Sequence, residues 1–561
     1  MVDESKKKSG NRVVVVGLDG ATFSLLDKMV EQGRMPNLER FMKSASRSDL
    51  RTVIPPITPA AWSTFMTGKN PGKHGIIEFL IKDGDGESPV NSRLRKGKTV
   101  WRIVNDAGGK VVSISVPTTY PPEEVDGFMA ASFLTPRGKK DFAYPPEILE
   151  EIESKLGPYR LYVSEVYTPG RAGKVIDDAF RDVEYKFGAA KYLVDRIDWK
   201  LFVLHIYGTD RLQHELWHLM DPQNPLYRKD ESEKHLENFY DFYAKLDARM
   251  GSFLEKLDPE DTVIMMSDHG FGPVRRFLNF NTWLLDRGYL KLKRRPTTLI
   301  KRFLFRLGYT PKNAYRLSMR LGLARLRVTL GVANRKSFFS KVNLLLLSLR
   351  DVDWSRTVAF SKGYYGQIFV NLKGRNPDGI VDPADFESIR SKIVEDLENV
   401  KDPENGKSII GPIYRPEELY TGPYIEDAPD ITFLPQDMSY KAIGTTDFTS
   451  NKFFEKVYAN SGDHRLDGIF LARGPGVKKG HLTTGAWIGD ITPTMLYRMG
   501  IPIPDDMDGK VLDDIFEPDF LNKHEKKFAH VVDDDTGSKS SGYTEEEKAA
   551  VRDKLKDMGY L

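Results

Sequence analysis

The chain has 561 residues, 40% hydrophobic and 29% charged, an ordinary globular composition that excludes a disordered or fibrous protein. It contains no cysteine, so disulfide frameworks, thiolate zinc sites, iron–sulfur clusters and cysteine nucleophiles are excluded, and any metal must be held by nitrogen and oxygen. The formal net charge of +3 conceals an asymmetry: residues 287–350 carry 17 Lys and Arg and no Asp or Glu, leaving the rest of the chain at −14.

At about 100–200 residues per domain, the length fits two to four units or one large core with insertions. Met1–Arg12 is charged and runs into Val13–Val16, an apolar stretch too short for a signal peptide that reads as a first strand. No run approaches 18 apolar residues, so no spanning helix is expected, and the protein is expected in the cytoplasm. The first strand, Arg12–Leu18, ends at Asp19. Helical patterns follow over Ser24–Gln32 and Pro59–Thr67, and Asp83–Ser88 reads as a polar surface turn. Lys110–Val116 is a strand after a Gly-Gly turn. Two long helices, Asp177–Asp195 and Glu231–Leu257, bracket the strand Lys200–Tyr207, which precedes Asp210. Asp261–Ser267 ends at Asp268, and Gly468–Ala472 follows His464. Near-continuous apolar strands alternating with helices predict a mostly parallel sheet covered on both faces. Ligands of such sheets sit outside the carboxyl ends of the strands, and three of these five runs lead into Asp there.

The basic segment 287–350 reads as a helical insert. Leu299, Ile300, Phe303, Leu304 and Leu307 share one face, with Lys301, Arg302 and Arg306 opposite. Pro311 would open a second helix there, and Val342–Leu349 would form a third. Near the end, Asp533–Ser541 reads as a linker. Thr544–Met558 reads as a short charged helix whose Thr544 and Glu547 have capping-box spacing. Gly559-Tyr560-Leu561 is expected to dock back on the body as an apolar hook.

The strongest chemical signal is a scattered set of Asp and His. It comprises Asp19, then Asp210 and His214 at i, i+4, then Ser267-Asp268-His269-Gly270, then Gly462-Asp463-His464. On a helix Asp210 and His214 share a face about 5–6 Å apart at Cβ, which suits a common metal. Singly, each has an ordinary explanation: a strand-end Asp caps a helix, an Asp–His pair decorates a surface, Asp-His-Gly makes a turn. Taken together, three carboxylates and three imidazoles are enough for two cations such as zinc or manganese. Thr58 precedes Pro59, which is tolerated in the first turn of a helix. It is either a plain helix cap or a nucleophile at an anion-favouring helix N-terminus, where a bound metal would lower its hydroxyl pKa.

The whole pattern resembles the alkaline phosphatase superfamily, and most closely its type I phosphodiesterase/nucleotide pyrophosphatase branch. The matching pieces are Val13–Gly20, Thr58 through Thr67-Gly68 to Ile76, Gly208–His214, Ser267–Phe271, Gly462–Gly468 and Gly489–Thr494. The sequence is particularly similar to the predicted phosphohydrolases and phosphomutases of that superfamily. The resemblance covers residues 11–520 and implies an α/β/α sandwich with a central, mostly parallel sheet. Read from length, charge and composition, 80–195 is expected to be partly cap, 287–350 the basic helical insert, and 521–561 a linker and short helix. By resemblance, Asp210, His214 and His464 would hold one divalent cation and Asp19, Asp268 and His269 the other. Thr58 would attack phosphorus to give a phosphothreonine intermediate.

One departure concerns the Asn that nucleotide pyrophosphatases of this branch carry three residues after the nucleophile; here that position is Ala61. Lys98, Tyr207 and Arg211 are candidates to replace it at the phosphoryl oxygens. His218, one turn beyond His214, is either substrate-facing or packed, and His74, His205 and His481 read as structural.

The expectation is a two-metal phosphodiesterase using zinc or manganese, acting on a lipid-linked or otherwise polyanionic phosphate. A phosphomutase and a catalytically idle scaffold are the alternatives. The basic insert is expected to contact an anionic membrane peripherally, with pairing to the acidic body or a second subunit as the rival; no nucleic-acid motif accompanies it.

Overall fold

Four consecutive valines, Val13 to Val16, are all buried because their strand lies in the middle of a sheet with parallel neighbours on both sides. The computed structural model describes residues 11–84, 86–313, 317, 345–444, 448–531, 538 and 540–559. In chain order the strands of the central sheet are β1 (Val13–Leu18), β2 (Ser46–Arg51), β3 (Lys110–Ile114), β4 (Gly127–Ala130), β5 (Ala143–Tyr144), β6 (Trp199–Ile206), β7 (Thr262–Met266), β8 (Asp467–Arg473) and β9 (Ala486–Trp487). In space they run β9-β2-β8-β7-β1-β6-β3-β4-β5. The middle five, β7 to β4, are parallel. Antiparallel pairing enters only towards the two edges.

The helices used below are α1 (Phe23–Glu31), α2 (Thr58–Thr67), α3 (Ala172–Arg196), α4 (Gly208–Leu216), α5 (Lys229–Leu254), α6 (Pro296–Arg306), α7 (Ile491–Met499) and α8 (Glu545–Met558). α3 packs on β6 and against α5 in one layer, while α7 packs on β1 and against α2 in the other. The result is the expected α/β/α sandwich.

Residues 80–195, where part of a cap was expected, mostly build the sandwich itself. Val111, Val112, Ile114, Phe128 and Met129 are buried, so their segments join the main core as β3 and β4. Among the described residues of this segment, the strands outside the central sheet are those of the hairpin Leu80–Asp83/Gly86–Pro89. A second lobe comes instead from residues 276–456, inserted between β7 and β8. It has two four-stranded sheets and its own core, which includes Leu278, Phe280, Ile368, Ile431 and Phe433.

The basic segment belongs to this second lobe. α6 forms there as expected. Of the two further helices expected, the one opened by Pro311 is helical over 311–313; the one expected over Val342–Leu349 does not form where it is described, since 345–348 are turn and irregular and Leu349–Asp351 makes a single 3-10 turn. Residues 314–316 and 318–344 lie outside the described residues. The C-terminal capping box forms, with Thr544 Oγ1 accepting from the Glu547 N–H at 3.2 Å and Glu547 Oε2 from the Thr544 N–H at 2.9 Å. α8 docks on the main core through Val551, Leu555 and Met558. Tyr560 and Leu561 of the expected hook lie outside the described residues.

Candidate active site

The ends of three parallel strands and one later strand deliver the site. Asp19 is the first residue beyond β1, and its N–H donates to the Ile206 carbonyl at 3.1 Å. Gly20 follows with φ +64°, where a Cβ would come within 2.9 Å of Phe271 and 3.3 Å of Asp210 Oδ1, so the turn requires glycine. Beyond β6 the chain turns at once into α4, which puts Asp210 and His214 on one face; the Thr209 hydroxyl donates to the Asp19 carbonyl at 2.7 Å. Asp268 and His269 follow β7. His464 lies on the short strand Gly462–Arg465, antiparallel to Gly270–Pro273 and directly opposite Phe271. Thr58 is the first residue of α2, with Pro59 second.

These seven residues, spread over more than 400 positions of sequence, meet in the interior. Asp210, His214 and His464 form one group and Asp19, Asp268 and His269 another. Within each group the potential ligand atoms all lie within 4.8 Å of one another. Thr58 Oγ1 stands 3.3 Å from His269 Nε2. All seven side chains are buried.

The imidazoles are oriented by backbone carbonyls. His214 Nδ1–H donates to Gly462 O at 2.9 Å, His269 Nδ1–H to Gly270 O at 3.1 Å, and His464 Nδ1–H to Pro56 O at 2.6 Å. Those bonds leave every Nε2 lone pair aimed into the pocket, the arrangement by which metal-ligating histidines are held. His214 Nε2 and His464 Nε2 then face each other at 2.9 Å. Two acceptors at that separation repel unless a cation lies between them. In the second group, Asp19 Oδ1 and Asp268 Oδ2 are buried without a hydrogen-bond partner. Such oxygens are costly to bury and are what a metal would occupy. The nitrogen-and-oxygen donor set suits zinc or manganese.

The electrostatics agree. Burial, and then the Asp210 carboxylate, push the Asp19 carboxyl well above its ordinary range. Burial and Asp19 do the same to Asp268. Burial would raise Asp210 too, but His214 and His464 pull it well below the ordinary value. Burial, reinforced by His464, holds His269 neutral, the form that ligates. The centre therefore contains carboxylates that repel one another and imidazoles kept uncharged, a combination that two cations would relieve.

Sequence reasoning missed three participants. His205 read as structural, yet its Nε2–H donates to Asp19 Oδ2 at 2.7 Å. Burial pushes its pKa down to about 3, so it acts as a neutral donor. The bond fixes the Asp19 carboxylate with Oδ1 towards the pocket. The edge of Trp62 supports the ring at 4.9 Å. His205→Ala is expected to weaken metal affinity about 10–100-fold, and His205→Gln to recover part of the loss; titration with a chelating indicator checks it, and unchanged affinity in His205→Ala would remove the role.

The other two, Tyr365 and Lys441, come from the second lobe. Tyr365 OH donates to Asp463 Oδ1 at 2.9 Å and Lys441 Nζ pairs with Asp463 Oδ2 at 3.0 Å. Burial alone would raise the Asp463 carboxyl, but Lys441, His464 and His214 hold it below the ordinary range. Tyr365 sits in the left-handed region at φ +67° with its ring facing His464, centroids 6.1 Å apart; strain of this kind gathers at functional sites. The available signal was the aromatic pair between Gly363 and Gly366.

The four residues expected near substrate have other engagements. Lys98 pairs with Asp106 and lines a surface cavity with Lys69 and His530. Tyr207 precedes α4 and stacks on Phe133 at 4.7 Å. Arg211 is buried, pairs with Glu215 at 2.6 Å and donates to the Met558 carbonyl at 3.0 Å, tying α4 to α8. His218 Nδ1 lies 3.1 Å from Ser461 Oγ, bracing the turn before Gly462.

A parallel sandwich with two Asp/His groups at its strand ends and a hydroxyl between a helix start and one of those groups defines a member of the alkaline phosphatase superfamily. Within it, residues 13–464 match the family model "Type I phosphodiesterase / nucleotide pyrophosphatase", and the chain belongs to that family. It is accordingly a phosphoric ester hydrolase. Among solved structures, phosphonoacetate hydrolase from Sinorhizobium meliloti 1021, in complex with phosphonoacetate, is 14% identical; the match covers 87% of this chain and 95% of that one, with a TM-score of 0.51. Murine ectonucleotide pyrophosphatase/phosphodiesterase 5, in complex with AMP, is 13% identical over 90% of this chain and 100% of that one, with a TM-score of 0.48. A search of curated protein sequences finds no match.

Proposed function

We propose that the protein is a two-metal phosphodiesterase that works through a phosphothreonine at Thr58. The observation carrying this reading is the placement of Thr58 Oγ1 at 3.3 Å from His269 Nε2, beside two groups of three convergent donors. Asp210, His214 and His464 would hold one cation and Asp19, Asp268 and His269 the other. When bound, such a pair lowers the pKa of the nucleophile and offsets charge on the attacking and leaving oxygens.

The chain's own groups set the geometry. The start of α2 points its unpaired N–H groups and positive dipole end at an anion placed beside Thr58. Pro56 O, two residues upstream, grips His464 and so fixes the loop that presents the hydroxyl. Thr58 Oγ forms the new bond to phosphorus and the P–O bond to the leaving alcohol breaks. The hydroxyl proton ends on that departing oxygen. Water then attacks the phosphothreonine, restoring Thr58 and releasing a phosphomonoester. Burial of the whole centre keeps bulk water from competing with the first step. Ala61, fully buried on α2 where related nucleotide enzymes have Asn, offers no side-chain donor to a phosphoryl oxygen. That argues for a phosphodiester other than a simple nucleotide, such as a lipid-linked or polyanionic one.

Purified protein is expected to hold about two zinc or manganese ions per chain and to cleave bis-p-nitrophenyl phosphate faster than p-nitrophenyl phosphate. Elemental analysis with steady-state kinetics tests both. A metal-free, inert protein would favour a scaffold. Phosphate trapped on Thr58 without hydrolysis of either ester would favour a mutase.

A further inference from the structure

An amphipathic surface helix ordinarily turns its apolar stripe towards the core. α6 is mounted the other way round. Leu299, Ile300 and Phe303 are 52%, 56% and 62% exposed, and Leu307, just past its end, is 69% exposed. The side that packs on the second lobe carries Thr298, Phe305 and Lys301, whose Nζ is held by Asp351 at 3.0 Å. Ten large hydrophobic side chains are exposed among the described residues, and six of them lie within 287–350. Lone exposed apolar residues are common, but a contiguous ridge marks an interaction surface.

Cations border the ridge. Lys291, Arg294 and Arg295 lead into α6 and are exposed, as is Arg306 at its end. No carboxylate occurs anywhere from 287 to 350. We infer that α6 and the residues leading into it are a docking face for an anionic lipid bilayer. Leu299, Ile300, Phe303 and Leu307 enter the boundary between headgroups and acyl chains, while the flanking Lys and Arg meet the lipid phosphates. A nucleic acid would satisfy the cations and leave four apolar side chains in water; an anionic bilayer satisfies both at once. Among the described residues no helix is long and apolar enough to cross a membrane, so the contact proposed is peripheral. It agrees with a lipid-linked substrate but does not depend on the phosphodiesterase reading, because its test reads binding.

The test is flotation of the full chain with vesicles of phosphatidylcholine alone and of phosphatidylcholine with phosphatidylserine. The protein is expected to float with the anionic vesicles only, and less as salt rises from about 100 to about 500 mM. Phe303→Asp with Leu307→Asp, both at exposed positions, is expected to reduce binding at least about tenfold. Its thermal midpoint and its turnover of a soluble diester should be unchanged. Arg294→Ser with Arg295→Ser should weaken binding and flatten the salt dependence. Failure of the wild type to float overturns the proposal, as does equal flotation of the aspartate variant. So does a wild-type dimer in light scattering that the aspartate variant turns into monomer, because a second copy would then cover the ridge. Loss of turnover in the aspartate variant with binding intact would likewise count against it.

Discussion

Thr58→Ala should lower kcat on a phosphodiester by at least about ten-thousand-fold, in line with the cost of removing a nucleophile that acts as a unit with its surroundings. Metal content and thermal midpoint should stay at wild-type values, because Oγ1 makes one side-chain contact in the site and the helix start is otherwise fixed by Ile57, Pro59 and the Pro56–His464 bond. Thr58→Ser keeps a hydroxyl in the same place and should retain much of the activity. Rapid acid quench of the wild type with a labelled diester should trap phosphate on Thr58 and none on the alanine variant. Turnover that survives in Thr58→Ala would end the nucleophile assignment and leave the metal assignment standing.

The second large effect is expected at Asp210. Asp210→Asn preserves shape but removes the charge shared by His214 and His464, each of which places Nε2 3.4 Å from Asp210 Oδ1. Metal content should fall from about two ions per chain to about one, and kcat by about a thousandfold, the scale of removing one charge-stabilising element. Elemental analysis alongside kinetics checks both numbers, and full occupancy in the variant would refute the ligand role.

A pH dependence follows from the other carboxylates. Asp19 and Asp268 are pushed up by burial and by neighbouring carboxylates, so the cation-free pocket holds protons at pH values where an ordinary carboxyl has lost them. Cations must displace those protons, and affinity should rise with pH. The sign for stability is opposite in the metal-free protein. Its folded state binds more protons than the unfolded chain across the raised range, so stability falls as pH climbs through it. Loading should abolish that slope, as melts with and without chelator would show.

Much of this centre was legible because its residues sit at strand ends or at helical spacing, where local pattern reports geometry. Asp19, Asp210 and Asp268 follow short apolar, β-branched runs of the kind found in interior parallel strands, and ligands sit outside the carboxyl ends of such strands. The unread parts are non-local. The His205–Asp19 bond spans 186 positions, and nothing in the spacing of a strand says which neighbour its side chains will meet. The second lobe is built from short strands, mostly antiparallel, scattered over 276–456, whose pairing partners leave little trace in sequence. Residues 80–195 are long enough for a cap, but length does not report packing, and Val111 and Phe128 are buried in the main core. Arg211 and His218 lie near candidate ligands in sequence, but Arg211 on α4 donates to Met558 and His218, in the 3-10 turn after that helix, meets Ser461. In α6, periodicity told which residues share a side; it carried no information on which side would be solvated.

The grip of Pro56 on His464 joins two functions in one proton. Only the imidazole tautomer with hydrogen on Nδ1 can satisfy that carbonyl, and it is the same tautomer that leaves Nε2 open inward. Protonation at Nε2 would remove the inward lone pair but keep the Nδ1–H bond to Pro56, whereas a ring rotated half a turn would lose both and free the loop that presents the threonine. Ring orientation therefore sets arming and alignment together, while the charge on the ring acts on the first alone.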